Sequence, residues 1–140
     1  MTGEDQKAQR AAGGPRGPRV LVIEDQPTVL DLVCEALDLM GYEPTGVATG
    51  MEGLGLFEQG TYDLVVTDLV MPGMTGWEVA AAARQRAPAM GIILMTATAM
   101  PLDPNRARRL NVTLLEKPFR LEALQEAVDY VMALPGERGV

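Results

Sequence analysis

Five polar side chains in this sequence belong to the types that bind hard metal ions and phosphoryl groups. They are Glu24, Asp25, Asp68, Thr96 and Lys117, and each stands at the end of a short apolar run. Carboxylates without a neighbouring imidazole or thiolate favour a hard cation such as Mg²⁺, whose oxygen ligands often include a phosphate. A threonine hydroxyl and a lysine ammonium group can each donate a hydrogen bond to a phosphoryl oxygen. If the fold brings these side chains together, they predict metal-dependent phosphoryl chemistry.

One of these carboxylates has an unusually apolar setting. In the segment VVTDLVMP (65–72), Asp68 stands between an apolar run and an apolar loop. An ionised carboxylate beside a core costs free energy unless another group compensates its charge. A metal ion or a lysine would provide this compensation, and an aspartate beside a metal can act as a nucleophile and form an aspartyl phosphate. Asp68 is therefore the candidate nucleophile.

The elements that must position these residues alternate along the chain. Short apolar runs predict five β-strands, at 19–23, 43–47, 63–68, 91–96 and 113–116. Apolar residues at helical spacing predict five helices, at 27–40, 51–59, 77–87, 105–110 and 120–134. Strands that alternate with helices predict an α/β fold, in which helices cover both faces of a parallel sheet. Ligands of such sheets bind beyond the carboxyl ends of the strands, where all five candidate residues fall.

Composition narrows the class of protein. A chain of 140 residues with 47% hydrophobic residues suits one domain with a real core. The absence of histidine excludes histidine-based triads and zinc sites, and a single cysteine cannot form an internal disulfide. A net charge of −7 argues against direct binding of nucleic acid.

The two ends of the chain differ from its middle. Residues 1–18 mix Gly, Pro, Ala and scattered charges, which predicts a disordered leader. The leader lacks the apolar segment of a secretory signal, and no run approaches the roughly 18 apolar residues of a membrane span, so we expect no membrane association and a cytoplasmic protein. We expect one domain over 19–135 and a short tail at 136–140.

Four motifs in a fixed order identify a family resemblance. The segments VLVIEDQP, DLVVTDLVMPGMTGWE, IILMTAT and EKPF resemble those of the receiver domain of bacterial two-component response regulators. The resemblance extends over about residues 19–134. It implies a flavodoxin-like, doubly wound (βα)5 sandwich of three layers, with a parallel five-stranded sheet of order 2-1-3-4-5, as in the chemotaxis regulators.

The resemblance also implies roles for the metal-binding residues. Asp68 resembles the phosphoacceptor, which takes a phosphoryl group from the phosphohistidine of a histidine kinase. Glu24 and Asp25 resemble the acidic pair that holds Mg²⁺ or Mn²⁺ together with Asp68. The backbone carbonyl of Val70 matches the third protein ligand of that metal.

The remaining motif residues resemble the groups that contact the phosphoryl group. Thr96 resembles the switch hydroxyl, and the backbone N–H of Ala97 is expected to assist it. Lys117 resembles the lysine that bridges to the phosphoryl group. The peptide bond between Lys117 and Pro118 is expected to be cis, as is usual in this family.

The implied function is a signalling switch and not an enzyme that turns over external substrates. Such a domain promotes its own phosphorylation and slow hydrolysis, receives its phosphoryl group from a sensor histidine kinase or phosphotransfer protein, and can dimerise when phosphorylated. Three alternatives remain: the receiver of a hybrid histidine kinase, a phosphorelay intermediate, or a pseudo-receiver that binds partners without phosphate. A phosphatase typically carries a second acid two residues after its nucleophile, where this chain has Val70.

Two features depart from the family pattern. Leu114 stands where receivers often carry an aromatic residue that responds to phosphorylation, so the usual coupling between threonine and aromatic residue is not expected here. The segment TAMPLDPNRARRL contains two prolines and predicts only a short fourth helix. Its arginines, Arg106, Arg108 and Arg109, are read as a solvated basic cluster, with contact to a partner as the alternative.

Overall fold

The computed structural model describes residues 17–97 and 102–133. Within these ranges the strands are β1 (Arg19–Ile23), β2 (Glu43–Val47), β3 (Leu64–Asp68), β4 (Gly91–Ala97) and β5 (Thr113–Lys117). The helices are α1 (Pro27–Leu39), α2 (Gly50–Gln59), α3 (Gly76–Arg86), α4 (Pro104–Leu110) and α5 (Leu121–Ala133). The alternation predicted from the apolar pattern is therefore confirmed. Most of the predicted leader and the whole predicted tail lie outside the described ranges.

The five strands form one parallel sheet in the order β2-β1-β3-β4-β5. This confirms the order that the resemblance implied, with β3 at the centre between β1 and β4, and with β2 and β5 at the edges. Every residue of β3 is buried, which agrees with a central strand covered on both faces. The carboxyl ends of β1 and β3 are therefore neighbours.

Helices cover both faces of the sheet and enclose two apolar clusters. On one face, Leu37 of α1 and Leu124 and Val128 of α5 pack against alternate residues of the central strands. On the other face, Phe57 of α2 and Val79 of α3 pack against the remaining strand residues. The helices thus bury the apolar side chains on both faces of the sheet.

No helix in the described part of the chain is long and apolar enough to cross a membrane.

Local sequence signals fix where several helices begin and end. Pro27 starts α1, and Gly41, with a φ of 94°, follows its C-cap. The N–H of Gly41 donates to Asp38 O and the N–H of Tyr42 donates to Leu37 O, the pair of bonds that defines a Schellman motif. The last carbonyl groups of α1 are satisfied in this way.

The third helix begins with a capping box that follows the loop beyond Asp68. Thr75 Oγ1 accepts from the N–H of Glu78 at 3.2 Å, and Glu78 Oε1 accepts from the N–H of Thr75 at 3.0 Å. Two backbone donors at the start of α3 are thereby satisfied. This fixes the end of the loop that leads away from Asp68.

The fourth helix is as short as its sequence predicted. Pro104 occupies its first turn, where the missing N–H costs nothing, and Asn111 ends it in a left-handed conformation with a φ of 53°. Arg84 of α3 donates to the carbonyl oxygens of Leu110 at 2.9 Å and Asn111 at 3.0 Å. The guanidinium group therefore joins the carboxyl end of α4 to α3.

Candidate functional site

The sheet register brings the predicted site residues to one edge. Ile23 pairs with Thr67, so Glu24 follows β1 beside the end of β3. Asp68 pairs with Met95, which places Thr96 one residue further along β4. Ala97 pairs with Lys117, so β5 ends at the same edge. The candidates from β1, β3, β4 and β5 thus meet because parallel strands end together.

Lys117 contacts two of the carboxylates directly. Its Nζ lies 2.7 Å from Oε1 of Glu24 and 3.3 Å from Oδ2 of Asp68. Glu24 is fully buried, and only 8% of Asp68 is exposed. Buried carboxylates need a partner of opposite charge, and one ammonium group provides it for both. The compensation that the sequence of 65–72 required is therefore present.

Glu24 uses both of its carboxylate oxygens. Oε1 accepts from Lys117, and Oε2 accepts from the backbone N–H of Gln26 at 3.0 Å. Burial nevertheless raises the pKa of Glu24 above its usual value, because these two hydrogen bonds offset only part of the desolvation and the negative charge of Asp68 opposes ionisation further.

The pKa of Lys117 shifts in the direction that keeps its charge. Burial alone would lower this pKa, but the hydrogen bond to Glu24 and the negative charge of Asp68 outweigh burial and raise it. Lys117 therefore stays protonated at neutral pH. Its positive charge is a fixed feature of the site.

The acidic side chains are close enough to share a cation. Glu24, Asp25 and Asp68 each offer an oxygen, and these oxygens lie within 4.8 Å of one another. Asp25 is exposed, whereas the other two are buried. A set of carboxylate oxygens without sulfur or imidazole fits a hard divalent ion that keeps several waters, and the exposed Asp25 leaves an open side for them.

An apolar groove leads to Asp68. It has a volume of about 530 Å³ and lies between α1 and the residues that follow β5. Leu32 of α1, Val70 and Phe119 line it together with Asp68 and Lys117. Val70 is 57% exposed, so the position two residues after the candidate nucleophile carries an apolar side chain open to solvent and no acid. The groove therefore gives Asp68 an apolar rim on the side of Val70.

Of the other predicted residues, Ala97 and Pro118 lie at this groove, whereas Thr96 does not line it. Thr96 is buried at the end of β4, and strand alternation puts it on the sheet face of Leu94, opposite to the face of Met95. The peptide bond between Lys117 and Pro118 is cis, as the resemblance implied.

Two residues that organise the backbone of the site were absent from the sequence prediction. The hydroxyl of Thr67 donates to the carbonyl oxygen of Asp68 at 3.0 Å. A Cβ atom at Gly76 would overlap that same carbonyl oxygen, so the first turn of α3 packs directly against the candidate nucleophile's backbone. A polar residue within an apolar strand, and a glycine at the start of a helix, were the signals in the sequence.

Known proteins share this sequence pattern and this fold. The family model of the response regulator receiver domain matches residues 20–129. The transcriptional regulatory protein TcrA of Mycobacterium tuberculosis is 35% identical over 118 residues, which cover 82% of this chain and 46% of TcrA. The response regulator receiver protein CpdR of Brucella abortus is 29% identical over 115 residues, which cover 81% of this chain and 96% of CpdR.

A solved structure is similar to this chain in both sequence and fold. The response regulator protein TrrA of Thermotoga maritima, in complex with Mg²⁺ and BeF, matches with a TM-score of 0.74 and 34% identity, over 81% of this chain and 98% of TrrA. This chain spans less than half of TcrA but nearly the whole of CpdR and TrrA. With the family model matched over most of its length, the chain belongs to the response regulator receiver domain family.

Proposed function

We propose that this chain is a phosphorylation-dependent switch in which Asp68 is the phosphoacceptor. The observation that carries the proposal is the contact of one lysine, Lys117, with both Glu24 and Asp68 at 2.7 and 3.3 Å, inside a cluster of three acids. A buried aspartate beside a fixed positive charge is suited to hold a phosphoryl group, because the same lysine can pair with the added oxygens.

Phosphoryl transfer would proceed by in-line displacement at phosphorus. An oxygen of Asp68 attacks the phosphorus of a phosphohistidine, the P–N bond breaks, and its electrons return to the imidazole of the donor protein. Lys117 pairs with a phosphoryl oxygen, and the Thr96 hydroxyl and the Ala97 N–H donate to the others. Attack of water on the phosphorus later releases phosphate and restores the Asp68 carboxylate.

Mg²⁺ or Mn²⁺ would be held by Asp25, Asp68 and the carbonyl oxygen of Val70, with Glu24 at the same centre. The cation supplies compensation for the negative charge that gathers between the carboxylate and the phosphoryl group. The open side at Asp25 leaves room for water ligands, and the acidic donor set matches this class of ion. The structure of TrrA in complex with Mg²⁺ and BeF supports this assignment.

The donor and the domain boundaries are also part of the proposal. We assign 19–135 to the receiver domain, with 1–18 as a leader and 136–140 as a tail. A sensor histidine kinase or a phosphotransfer protein in the cytoplasm would dock over the groove beside Asp68. Phosphorylation would draw the Thr96 hydroxyl inward, and the resulting change would alter binding of a downstream partner or of a second copy.

The test is a measurement of intact mass after incubation with Mg²⁺ and acetyl phosphate. We expect the wild-type protein to gain one phosphoryl group, which acid or hydroxylamine removes, and Asp68→Asn to gain none. Asp31→Asn, which changes an exposed acid of α1, is the matched control and should behave as wild type. A wild-type protein without an adduct in the presence of both acetyl phosphate and a histidine kinase would favour the pseudo-receiver, and an adduct that persists in Asp68→Asn would disprove the assignment of the acceptor.

A further inference from the structure

Thr67 places a hydroxyl group in an otherwise apolar layer. It is the fourth of the five residues of β3 and is fully buried. Strand alternation puts its side chain on the face of Val65 and Leu69, which belong to the apolar cluster beneath α2 and α3. By the same alternation, the side chain of Asp68 lies on the opposite face of the sheet, with Leu64 and Val66. The Thr67 side chain therefore leaves β3 on the face opposite to the Asp68 carboxylate.

A valine would fill the same space without a polar atom. Burial of a hydroxyl group costs about 1–3 kcal/mol unless a hydrogen bond compensates it. Thr67 meets this requirement through its own chain, because Oγ1 donates to the carbonyl oxygen of Asp68 at 3.0 Å. The hydroxyl is thus directed at the backbone of the candidate nucleophile.

The peptide that joins Asp68 to Leu69 is held from other directions as well. The N–H of Leu69 donates to the carbonyl oxygen of Met95 at 2.9 Å, and the carbonyl oxygen of Leu69 accepts from the N–H of Gly76 at 2.8 Å. Gly76 has no Cβ and packs against the Asp68 carbonyl, where any larger residue would overlap it. The hydroxyl of Thr67 completes a set of contacts around two consecutive peptide groups, those on either side of Leu69.

The orientation of the peptide group between Asp68 and Leu69 affects two proposed metal ligands, the Asp68 carboxylate and the Val70 carbonyl group. Rotation about the backbone bonds of Asp68 changes the direction of its side chain, and the same rotation redirects the chain toward Val70. We propose that Thr67 is a positioning residue for the phosphoacceptor: its hydroxyl, by fixing the Asp68 carbonyl, aligns the Asp68 carboxylate with the Val70 carbonyl for cation binding and phosphorylation. The proposal rests on the proposed function of the same site.

The experiment compares Thr67→Val, which keeps the shape and removes the hydroxyl, with Thr67→Ser, which keeps the hydroxyl. The dissociation constant of Mg²⁺ is measured by calorimetry without acetyl phosphate, and the phosphorylation rate is measured by intact mass at saturating Mg²⁺. Loss of a group that orients metal ligands typically weakens metal binding by about 10- to 100-fold. We expect Thr67→Val to bind Mg²⁺ about tenfold more weakly and to be phosphorylated more slowly, and Thr67→Ser to stay within about threefold of wild type.

Thermal unfolding of the metal-free variants separates positioning from simple stability. A purely structural role would lower the melting temperature of Thr67→Val and leave its Mg²⁺ affinity unchanged, and that result overturns the proposal. Equal loss of affinity in both variants overturns it too, because the hydroxyl would then not be the cause. Thr67→Ala replaces Thr67→Val if the latter does not fold. A wild-type protein that gains no phosphoryl group contradicts the proposed function, whereas a wild-type adduct with an unchanged Thr67→Val contradicts only this inference.

Discussion

At the scale of the residue, Lys117 sets the charge balance of the site. It is the positively charged partner that both buried carboxylates share, with contacts of 2.7 Å to Glu24 and 3.3 Å to Asp68. The pKa of Glu24 is raised chiefly by burial, and the hydrogen bond from Lys117 opposes that rise. The state of Glu24 in the metal-free protein therefore depends on Lys117.

Replacement of Lys117 should make stability depend more strongly on pH. In Lys117→Met the pKa of Glu24 in the native state should rise further above 4.5, its ordinary value and the one expected in the unfolded chain. Between these two pKa values the native state keeps a proton on Glu24 that the unfolded chain has released. The stabilisation that this bound proton gives the native state is fully present below pH 4.5 and is lost as pH rises through the raised pKa of native Glu24. We expect a loss of about 3 kcal/mol in unfolding free energy at pH 8 and a smaller loss at pH 5.

Urea denaturation at both pH values, with chelator present, measures this effect. Arg109→Met removes an exposed positive charge from α4, which contributes none of the acids of the site, and serves as the control. An equal loss at pH 5 and pH 8 would show that Glu24 does not respond to Lys117.

The sequence predicted the side chains of the site better than its backbone contacts. Glu24, Asp25, Asp68 and Lys117 could be predicted together because parallel strands end at one edge, and their carboxylates and ammonium group are rare in such apolar surroundings. Thr67 was missed because its partner is the carbonyl group of the next residue, and only a side-chain rotamer shows that contact.

At the scale of the element, α2 begins at Gly50 and contains two interior glycines with different surroundings. A Cβ at Gly53 would overlap Cδ1 of Ile23, the last residue of β1, whereas a Cβ at Gly55 would meet nothing within 4 Å. Both glycines weaken the helix by about 1 kcal/mol relative to alanine. The close approach of α2 to β1 at Ile23, just before Glu24, explains why Gly53 lacks a side chain.

These two glycines provide a matched pair of substitutions. Gly55→Ala should raise the unfolding free energy by about 0.5–1 kcal/mol through helix propensity alone. Gly53→Ala should lower it by about 1–3 kcal/mol, because the displacement of Ile23 outweighs the same gain. Guanidinium denaturation of both variants measures the difference, and a change of the same sign in both would contradict the packing explanation.

Arg84 should determine how firmly α4 is held. Its guanidinium group donates to the carbonyl oxygens of Leu110, Asn111, Pro88 and Met90, at 2.6 to 3.0 Å. Lysine cannot reproduce a planar group that donates in several directions. Arg84→Lys should therefore lower stability by about 2 kcal/mol and speed amide hydrogen exchange in α4 at least severalfold.

Arg86→Lys is the control for that experiment, since Arg86 donates to one carbonyl oxygen, that of Glu58, at 3.0 Å. If exchange in α4 is equally fast in both variants, α4 is held by its apolar contacts and not by Arg84. The short length of α4 was predictable from its prolines, but its attachment was not, because the acceptors at Leu110 and Asn111 are 26 and 27 residues from Arg84 in sequence.

At the scale of the whole molecule, metal binding and folding should be coupled. The three acids converge only when β1 and β3 are paired, so the unfolded chain has no comparable site for a cation. A ligand that binds only the native state stabilises it by about 2.7 kcal/mol at one hundred times its dissociation constant. Mg²⁺ should therefore raise the melting temperature, and chelation should reverse the rise.

Asp25→Asn tests whether this stabilisation comes from the acidic cluster. Asp25 is exposed, so the metal-free stability of the variant should stay close to that of wild type, while most of the increase with Mg²⁺ should disappear. Asp31→Asn again serves as the control. An undiminished increase in Asp25→Asn would place the cation elsewhere on the protein.

The apolar pattern alone could not predict the order of the strands in the sheet. Alternation predicted a parallel sheet with helices on both faces, but the same alternation suits more than one strand order, because it contains no information about which strands pair. The order 2-1-3-4-5 came from the family resemblance alone. The pairing of β1 with β3 depends on contacts between residues far apart in sequence, such as Ile23 with Thr67.

The edge strand β2 has a consequence for association with other chains. The N–H of Glu43 and the carbonyl group of Val47 bond toward the interior of the sheet, so the backbone groups of Pro44 and Gly46 point outward. Proline has no N–H, which leaves Gly46 as the outward donor of this strand. Such an edge is a poor template for a strand from another molecule, so pairing with a second chain is disfavoured at β2. An oligomer formed on phosphorylation would therefore not extend the sheet at β2.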